Sequence, residues 1–145
     1  MSRTSSIEAY AIAFGALTED TLSDLVAMTS SDIIFKDPFN TIHGQDGFRH
    51  VFDHMYRTCD DPRFDITDIA HGKTASYIRW RMTARLKSWP RMHLDFEGMT
   101  EVHADSKGRI TAHYDHWDSA SQLLAKLPIV GALVRRILKL FVLKD

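Results

Sequence analysis

The sequence divides into a first part patterned for helices and a second part patterned for strands. The clearest helical stripe, with apolar residues at i, i+3, i+4, i+7 and i+8, consists of Phe48, Val51, Phe52, Met55 and Tyr56. Between residues 63 and 117 apolar and polar side chains instead alternate, which is the period of a strand with one buried face. This order predicts an α+β fold in which helices cover one face of a curved, mainly antiparallel sheet.

Each predicted element has its own apolar pattern and its own stop signal. We expect helices at residues 7–17, after the start signal Thr18-Glu19-Asp20, and after Gly44. We expect strands at residues 33–35, 63–70, 76–86, 94–102 and 109–117. No Gly- or Ser-rich linker interrupts them, so a chain of 145 residues is expected to form one domain.

Composition excludes several classes of function. Hydrophobic residues make up 44% of the chain and charged residues 26%, as in an ordinary soluble domain. The net charge of −1 offers no field that would attract nucleic acid, and no zinc-finger, Walker or dinucleotide motif is present. His50 and His54 are four residues apart on the third helix but lie off its apolar stripe, so we expect a solvated face rather than a metal site.

Cys59 is the only cysteine, so an intramolecular disulfide is impossible and the cytoplasm is the expected location. The polar N-terminus lacks the apolar core of a signal peptide. No apolar run approaches the roughly 20 residues of a membrane span, and none is expected.

Asp37 stands at the end of the first strand, directly before Pro38, which cannot extend a ladder. A carboxylate at the mouth of an apolar cup is a candidate general base, because desolvation brings its pKa towards neutral pH. The alternative is a turn aspartate that accepts hydrogen bonds from nearby backbone amides.

Strict alternation places His113, Asp115 and Trp117 on one face of the last strand, and Ile110, Ala112, Tyr114 and His116 on the other. A histidine and an aspartate among apolar walls need partners or a ligand. They could satisfy each other or serve a bound molecule, and the sequence leaves both alternatives open. Arg79 and Arg81 lie opposite an apolar face, and we expect them to form cross-strand ion pairs with residues such as Glu97 and Glu101.

The C-terminal extension, defined as residues 121–145, has a different character. It contains five basic residues and one acid, so it carries +4 while the rest of the chain carries −5. Its apolar arc is too wide for a simple surface helix and must be covered by the pocket, a second subunit or a membrane surface. A lid or subunit interface is favoured, and membrane-surface contact is less favoured.

Two segments carry a family resemblance: D-I-I-F-K-D-P-F-N-T-I-H-G-Q-D-G-F, starting at Asp32, and G-R-I-T-A-H-Y-D-H-W-D, starting at Gly108. They resemble the NTF2-like superfamily, specifically its ketosteroid isomerase-like and SnoaL-like members, over about residues 5–120. The resemblance implies a cone with an apolar pocket, and homodimers formed through the sheet. It also implies that residues 1–120 are the SnoaL-like domain and that the extension belongs to the same domain.

The resemblance also implies roles for particular residues. Asp37 matches the general base of the isomerases, and Asp115 resembles the last-strand acid of limonene epoxide hydrolases and the single acid–base carboxylate of SnoaL-type cyclases. The chain departs from the isomerases at their oxyanion hole. Thr100 stands where their acid would be, and Phe14 stands near the position of their tyrosine, with Tyr10 one turn earlier.

These observations together predict a cofactor-independent acid–base enzyme, of the isomerase, cyclase or epoxide-hydrolase kind, acting on a hydrophobic small molecule. The alternative is a non-catalytic binding protein for a lipophilic ligand. The expected catalytic residues are Asp37, Asp115 and His113. The expected ligand-binding residues are Tyr10, Phe14, Trp80, Phe96, Thr100 and Trp117. No cofactor, metal or nucleic acid is expected.

Overall fold

The computed structural model describes residues 2–144, and Met1 and Asp145 lie outside this range. The α-helices are α1 (Arg3–Gly15), α2 (Leu22–Ala27), α3 (Gly44–Thr58), α4 (Ser119–Gln122) and α5 (Val130–Leu138), with short 3-10 helices at Leu124–Lys126 and Lys139–Phe141. The strands are β1 (Thr29–Lys36), β2 (Thr41–His43), β3 (Cys59–His71), β4 (Ser76–Leu86), β5 (His93–Ala104) and β6 (Ile110–Trp117).

The six strands form one curved sheet in the order β2-β1-β6-β5-β4-β3. All neighbours are antiparallel except β1 and β6, which pair in parallel with Phe35 opposite His113. The parallel pair brings the Asp37 end of β1 beside the Trp117 end of β6. The α+β fold class predicted from the sequence is therefore confirmed.

The core lies between the inner face of the sheet and helices α1 to α3. The alternation predicted for β4 and β5 is present, since every second residue of β4 from Ser76 to Ala84 is buried. Helix α1 contributes Ile7, Tyr10 and Phe14 at helical spacing, and each is at most 1% exposed. One continuous core therefore holds the helices against the curved sheet.

A bulge in β6 changes which residues face inwards. Ile110 pairs with Ala104 and His113 pairs with Val102, so one more residue separates the pair on β6 than on β5. Because Val102 and Ala104 share a face, Ile110 and His113 do as well. Our expectation that Ile110 lies on the opposite face from His113 was wrong, because simple alternation does not allow for an inserted residue.

One predicted helix start is wrong, and one strand was not predicted. Thr18 begins a turn and not the second helix: its backbone amide donates to Thr21 Oγ1 at 2.9 Å, and α2 starts at Leu22. The three-residue strand β2, which pairs with the end of β1, has no alternating pattern long enough to predict it.

The outer face of the sheet carries the expected ion pairs in part. Arg79 lies 3.8 Å from Glu97, as predicted, whereas Arg81 pairs with Asp95 at 2.6 Å. Glu101 does not contact an arginine. Its two carboxylate oxygens instead contact two histidines of the same face, His103 and His116.

The C-terminal extension is attached beside the end of the sheet. The amide of Glu97 donates to Gln122 Oε1 at 2.7 Å, and Gln122 Nε2 donates to the Glu97 carbonyl at 3.0 Å. Gln122 thus occupies the place of a strand neighbour just beyond the end of β6. Helix α5 then packs mainly on the 3-10 helix before it. Among the described residues, no helix combines the length and apolar composition needed to cross a bilayer.

Gly98 is the point at which two indole rings meet the backbone of β5. A Cβ atom there would lie 2.8 Å from Trp117 Cβ, 2.8 Å from Trp80 Cη2 and 2.9 Å from the His116 carbonyl oxygen. We expect Gly98→Ala to lower the free energy of unfolding by about 1–3 kcal/mol, because rigid atoms must move to make room. Urea denaturation monitored by circular dichroism would measure this change.

The matched control is Gly15→Ala at the end of α1, where the new Cβ would press only on the side chain of Ile66. Alanine also favours a helix, so we expect a smaller effect there. Equal losses in the two variants would contradict the interpretation.

Candidate functional site

A chain of hydrogen bonds crosses the inner face of the sheet and ends on Asp115. Trp80 Nε1 donates to Thr100 Oγ1 at 2.8 Å, and Thr100 Oγ1 donates to Asp115 Oδ1 at 2.6 Å. From the other side, Tyr10 OH lies 2.7 Å from His113 Nδ1, and His113 Nε2 lies 2.9 Å from Asp115 Oδ1. All five residues of this chain are among the predicted site residues, and Thr100 lies opposite Asp115 on the neighbouring strand.

The hydrogen bonds of this chain are all donated in the direction of Asp115. Burial, and then the negative charge of Asp115, raise the pKa of Tyr10 well above its usual value, so its oxygen keeps the proton. A carboxylate oxygen can only accept, so His113 donates from Nε2 to Asp115, and its Nδ1 is left to accept from the Tyr10 hydroxyl. Asp115 Oδ1 then accepts from both His113 and Thr100.

Aromatic rings enclose the histidine completely. His113 is 0% exposed, and the centroids of five rings lie 5.2 to 6.3 Å from its own. These rings belong to Tyr10, Phe14, Phe35, Phe48 and Phe52. Tyr10 and Phe14 thus form the closed base of the cone, and no open space reaches their side chains.

Asp115 lies at the boundary between this packed base and solvent. Its side chain retains 13% exposure, and only Oδ1 has a hydrogen-bond partner among residues 2–144. Oδ2 is left accessible on the inner side of the sheet. A half-buried carboxylate with one oxygen fixed and the other free can accept or deliver a proton.

The predicted aromatic residues beyond Asp115 line the open end of the cone. Phe96 and Trp117 stack with centroids 4.4 Å apart, and Phe39 meets the edge of Trp117 at 6.0 Å. Phe39 is 57% exposed. Trp117 stands two residues beyond Asp115 on the same face of β6, so this apolar rim lies beyond the carboxylate and offers a flat surface to a hydrophobic molecule.

Asp37 lies at the same end but is not part of the chain of hydrogen bonds. Its Oδ1 accepts from the amides of Phe39 at 2.8 Å and Asn40 at 2.7 Å. These are the contacts of a turn aspartate, the alternative that the sequence left open. They hold the loop that carries Phe39, and the role of Asp37 as a base stays a prediction.

Two shallow depressions lie away from Asp115. One, of about 340 Å³, runs between α1 and β3 and is lined by residues such as Ala11, Ile12, Phe64 and Ile66. The other, of about 390 Å³, lies over the outer end of β4 and β5. His50 and His54 stay on α3 without a third ligand, and the described part of the chain contains no group of three metal-ligating side chains.

One contributor to the site, Phe39, was not predicted from the sequence, and one predicted residue, Trp80, has a role beyond the expected one. Trp80 was expected only to line a pocket, yet its indole nitrogen donates a hydrogen bond to Thr100. Ile78 lies directly opposite Thr100, so Trp80, two residues further along β4, reaches Thr100 diagonally across the two strands. Phe39 was not selected, although an apolar residue directly after Asp37-Pro38 is a signal that could have marked it.

Removal of the Tyr10 hydroxyl tests whether the hydrogen-bond chain stabilises the fold. We expect Tyr10→Phe to lose about 1–3 kcal/mol at pH 7, because His113 Nδ1 is left buried without a donor. Since folding raises the pKa of Tyr10 above its unfolded value of 10.0, the associated stability is complete below pH 10 and is lost as the pH rises further. The deficit of the variant should therefore shrink above pH 10, as measured by urea denaturation from pH 7 to 11.

Tyr77→Phe is the control, because it removes the hydroxyl of an exposed tyrosine on the outer face. It should match the wild type at pH 7. A Tyr10→Phe protein as stable as the wild type at pH 7 would contradict the hydrogen bond between Tyr10 and His113. Burial also raises the pKa of Tyr56 to about 12, and this contribution is common to all three proteins.

Comparisons with solved structures agree with this fold. A protein from Catenulispora acidiphila with a ketosteroid isomerase-like fold, crystallised with trimethylamine, superposes with a TM-score of 0.70 and 16% identity over 85% of this chain and 93% of its own. The epoxide hydrolase/cyclase-like enzyme SalBIII, associated with pyran ring formation in the polyether salinomycin, gives 0.67 and 12% over 80% and 90%. TerC, co-crystallised with polyporic acid, gives 0.66 and 12% over 82% and 93%.

At such identities these likenesses show the fold alone. No curated protein matches the sequence. The family of SnoaL-like domains, however, matches residues 8–113, which include Tyr10, Thr100 and His113. The chain therefore belongs to the family of SnoaL-like domains, and its fold is that of NTF2-like proteins.

Proposed function

We propose that this protein is a cofactor-independent acid–base enzyme that acts on a hydrophobic small molecule. The observation that carries the proposal is Asp115, whose Oδ1 is held by two donors while Oδ2 is free beside an aromatic rim. The reaction belongs to the isomerase, cyclase or epoxide-hydrolase kind, as membership of the SnoaL-like family also suggests.

The chemistry needs only one carboxylate that moves a proton twice. Asp115 Oδ2 removes a proton from a carbon next to a carbonyl group, and the C–H electron pair becomes the enolate. In an isomerisation the protonated Asp115 returns the proton to another carbon. In a cyclisation the enolate carbon forms a bond to a second carbonyl carbon, and the resulting alkoxide takes the proton from Asp115. Both sequences return the enzyme to its starting state.

The other residues of the hydrogen-bond chain hold the Asp115 carboxylate in position. His113 and Thr100 fix the plane of Asp115, Tyr10 fixes the tautomer of His113, and Trp80 fixes the hydroxyl of Thr100. A carboxylate held in this way loses little conformational freedom when it reacts.

The substrate would bind at the rim beyond Asp115. Trp117, two residues beyond Asp115 on the same face, and Phe96, stacked on it, provide an apolar surface, and Tyr10 and Phe14 close the base behind it. Asp37 is the second proposed acid–base group, reached through its less strongly bonded Oδ2, which lies 3.4 Å from Asn40 Nδ2.

The alternative function is non-catalytic binding of a lipophilic ligand at the same rim. The absence of the isomerases' oxyanion pair favours it, since Thr100 and Phe14 stand at or near those positions. An unaltered lipophile that copurifies with the protein in native mass spectrometry would support binding, and a converted compound would support catalysis.

We also propose that residues 1–120 form the SnoaL-like domain, with the extension as part of the same unit through Gln122. The outer face of the sheet is the proposed homodimer surface, because it exposes Tyr77 and Met99 between its ion pairs. The cytoplasm remains the proposed location, on the basis of the single cysteine.

Hydrogen exchange tests the proton transfer without knowledge of the true substrate. The protein is incubated in D₂O with a panel of fused-ring ketones and β-keto esters, and deuterium uptake next to the carbonyl is followed by mass spectrometry. We expect the wild type to accelerate uptake in at least one of these compounds. Asp115→Asn should reduce the rate about 100-fold or more, since an amide cannot accept the proton.

Asp20→Asn is the control, because it makes the same chemical change at an exposed loop residue and should keep the wild-type rate. We expect Asp37→Asn to have a smaller effect than Asp115→Asn, because the contacts of Asp37 resemble those of a turn. Exchange that survives unchanged in both Asp115→Asn and Asp37→Asn would remove the mechanism.

A further inference from the structure

Among the described residues, most of the large apolar side chains that are exposed lie after Pro128. Eight large apolar side chains after Pro128 are between 49% and 91% exposed: Ile129, Val130, Leu133, Ile137, Leu140, Phe141, Val142 and Leu143. Scattered exposed apolar residues are ordinary, but a contiguous set of this size marks a surface that binds something.

The orientation of α5 is fixed by its inner side. Gly131 is buried against the backbone of Ala125, and the guanidinium of Arg135 donates to the Ala125 carbonyl. The opposite side therefore faces outwards, where Leu133 and Ile137 are one turn apart and Leu140 continues the stripe. Gln122 in turn ties the extension to β5, so this apolar stripe is held in place on the domain and is not packed over the rim.

Charge distinguishes between the partners that could cover the stripe. Arg136 and Lys139 are exposed beside it, and the extension carries +4 on a chain that is otherwise −5. Pairing of two such extensions in a dimer would bring like charges together. An anionic surface attracts the basic side chains of the extension and repels the acidic remainder of the protein. This difference also sets the orientation of the domain on the surface.

We propose that residues 129–144 bind the surface of an anionic phospholipid bilayer, with α5 lying in the plane of the headgroups and its Leu133–Ile137–Leu140 stripe in the acyl boundary. A helix of this kind needs a strongly apolar face and basic residues on its polar side, and it does not need the length of a membrane span. The proposal is independent of the chemistry at Asp115.

A second element at the same end of the sheet fits this orientation. The connection from β4 to β5 directly precedes β5, a few residues before the point where Gln122 holds Glu97. Its Trp89 is 74% exposed and stands between the basic residues Lys87 and Arg91. Tryptophan favours the interface between water and lipid, so this hairpin supplies a second contact.

Flotation of the full-length protein with vesicles tests the proposal. We expect binding to vesicles of phosphatidylcholine and phosphatidylglycerol in a 3:1 ratio, and at least about tenfold weaker binding to phosphatidylcholine alone. Leu133→Gln should weaken binding to the anionic vesicles about tenfold. Ile12→Gln, an exposed isoleucine on α1, should not weaken it.

A second pair of variants tests whether binding requires the positive charges beside the stripe. Arg136→Gln with Lys139→Gln should weaken binding about 25-fold, or about fivefold for each charge. Lys73→Gln with Lys107→Gln makes the same change of net charge at two exposed turns and should leave binding intact. All of these positions are on the surface, and circular dichroism would verify that each variant is folded.

Absence of flotation with the wild type would overturn the proposal. So would flotation that is equal for neutral and anionic vesicles, or unchanged in both extension variants. A dimer in light scattering that becomes monomeric in Leu133→Gln, without vesicle binding, would assign the stripe to a second copy and would equally overturn it.

Discussion

The structure depends on the burial of one histidine among aromatic rings. His113 is inaccessible to water, so both of its ring nitrogens require protein partners, and Tyr10 and Asp115 supply them. On one side the partner is the phenol of Tyr10, which stays protonated. On the other side the partner is the carboxylate of Asp115, which is thereby fixed at the edge of solvent. The packing of the core and the position of a carboxylate at its edge are thus consequences of the same contacts.

Much of this arrangement could be predicted from the sequence, because the signals are local. Alternation in β4 and β5 and the helical stripes of α1 and α3 identify the buried faces, and from them the fold class. The residues His113 and Asp115 were selected for the same reason, as polar side chains on an apolar face. What could not be predicted depends on register: the bulge that turns Ile110 inwards, and the alignment of Thr100 with Asp115 across two strands.

Asp37 illustrates a second limit. An aspartate before proline is equally suited to act as a base at the entrance of a site and to stabilise a tight turn. Only the distances to the amides of Phe39 and Asn40 reveal the contacts that Asp37 makes. The extension presents the same kind of ambiguity. Its composition predicted a covered apolar surface, but whether that cover comes from the same chain depends on how Gln122 and Arg135 attach it to the domain.

The bond between Tyr10 and His113 joins residues 103 positions apart, the first from the opening helix and the second from the closing strand. During synthesis, a ribosome-bound chain that lacks β6 has a helix, a sheet and an apolar interior, but no partner for its tyrosine. The hydrogen-bonded group around Asp115 is completed only when nearly the whole domain has emerged, and contacts of such long range form slowly. Nascent or truncated forms of this protein are therefore expected to be inert, so any reactive chemistry is confined to molecules that have finished folding.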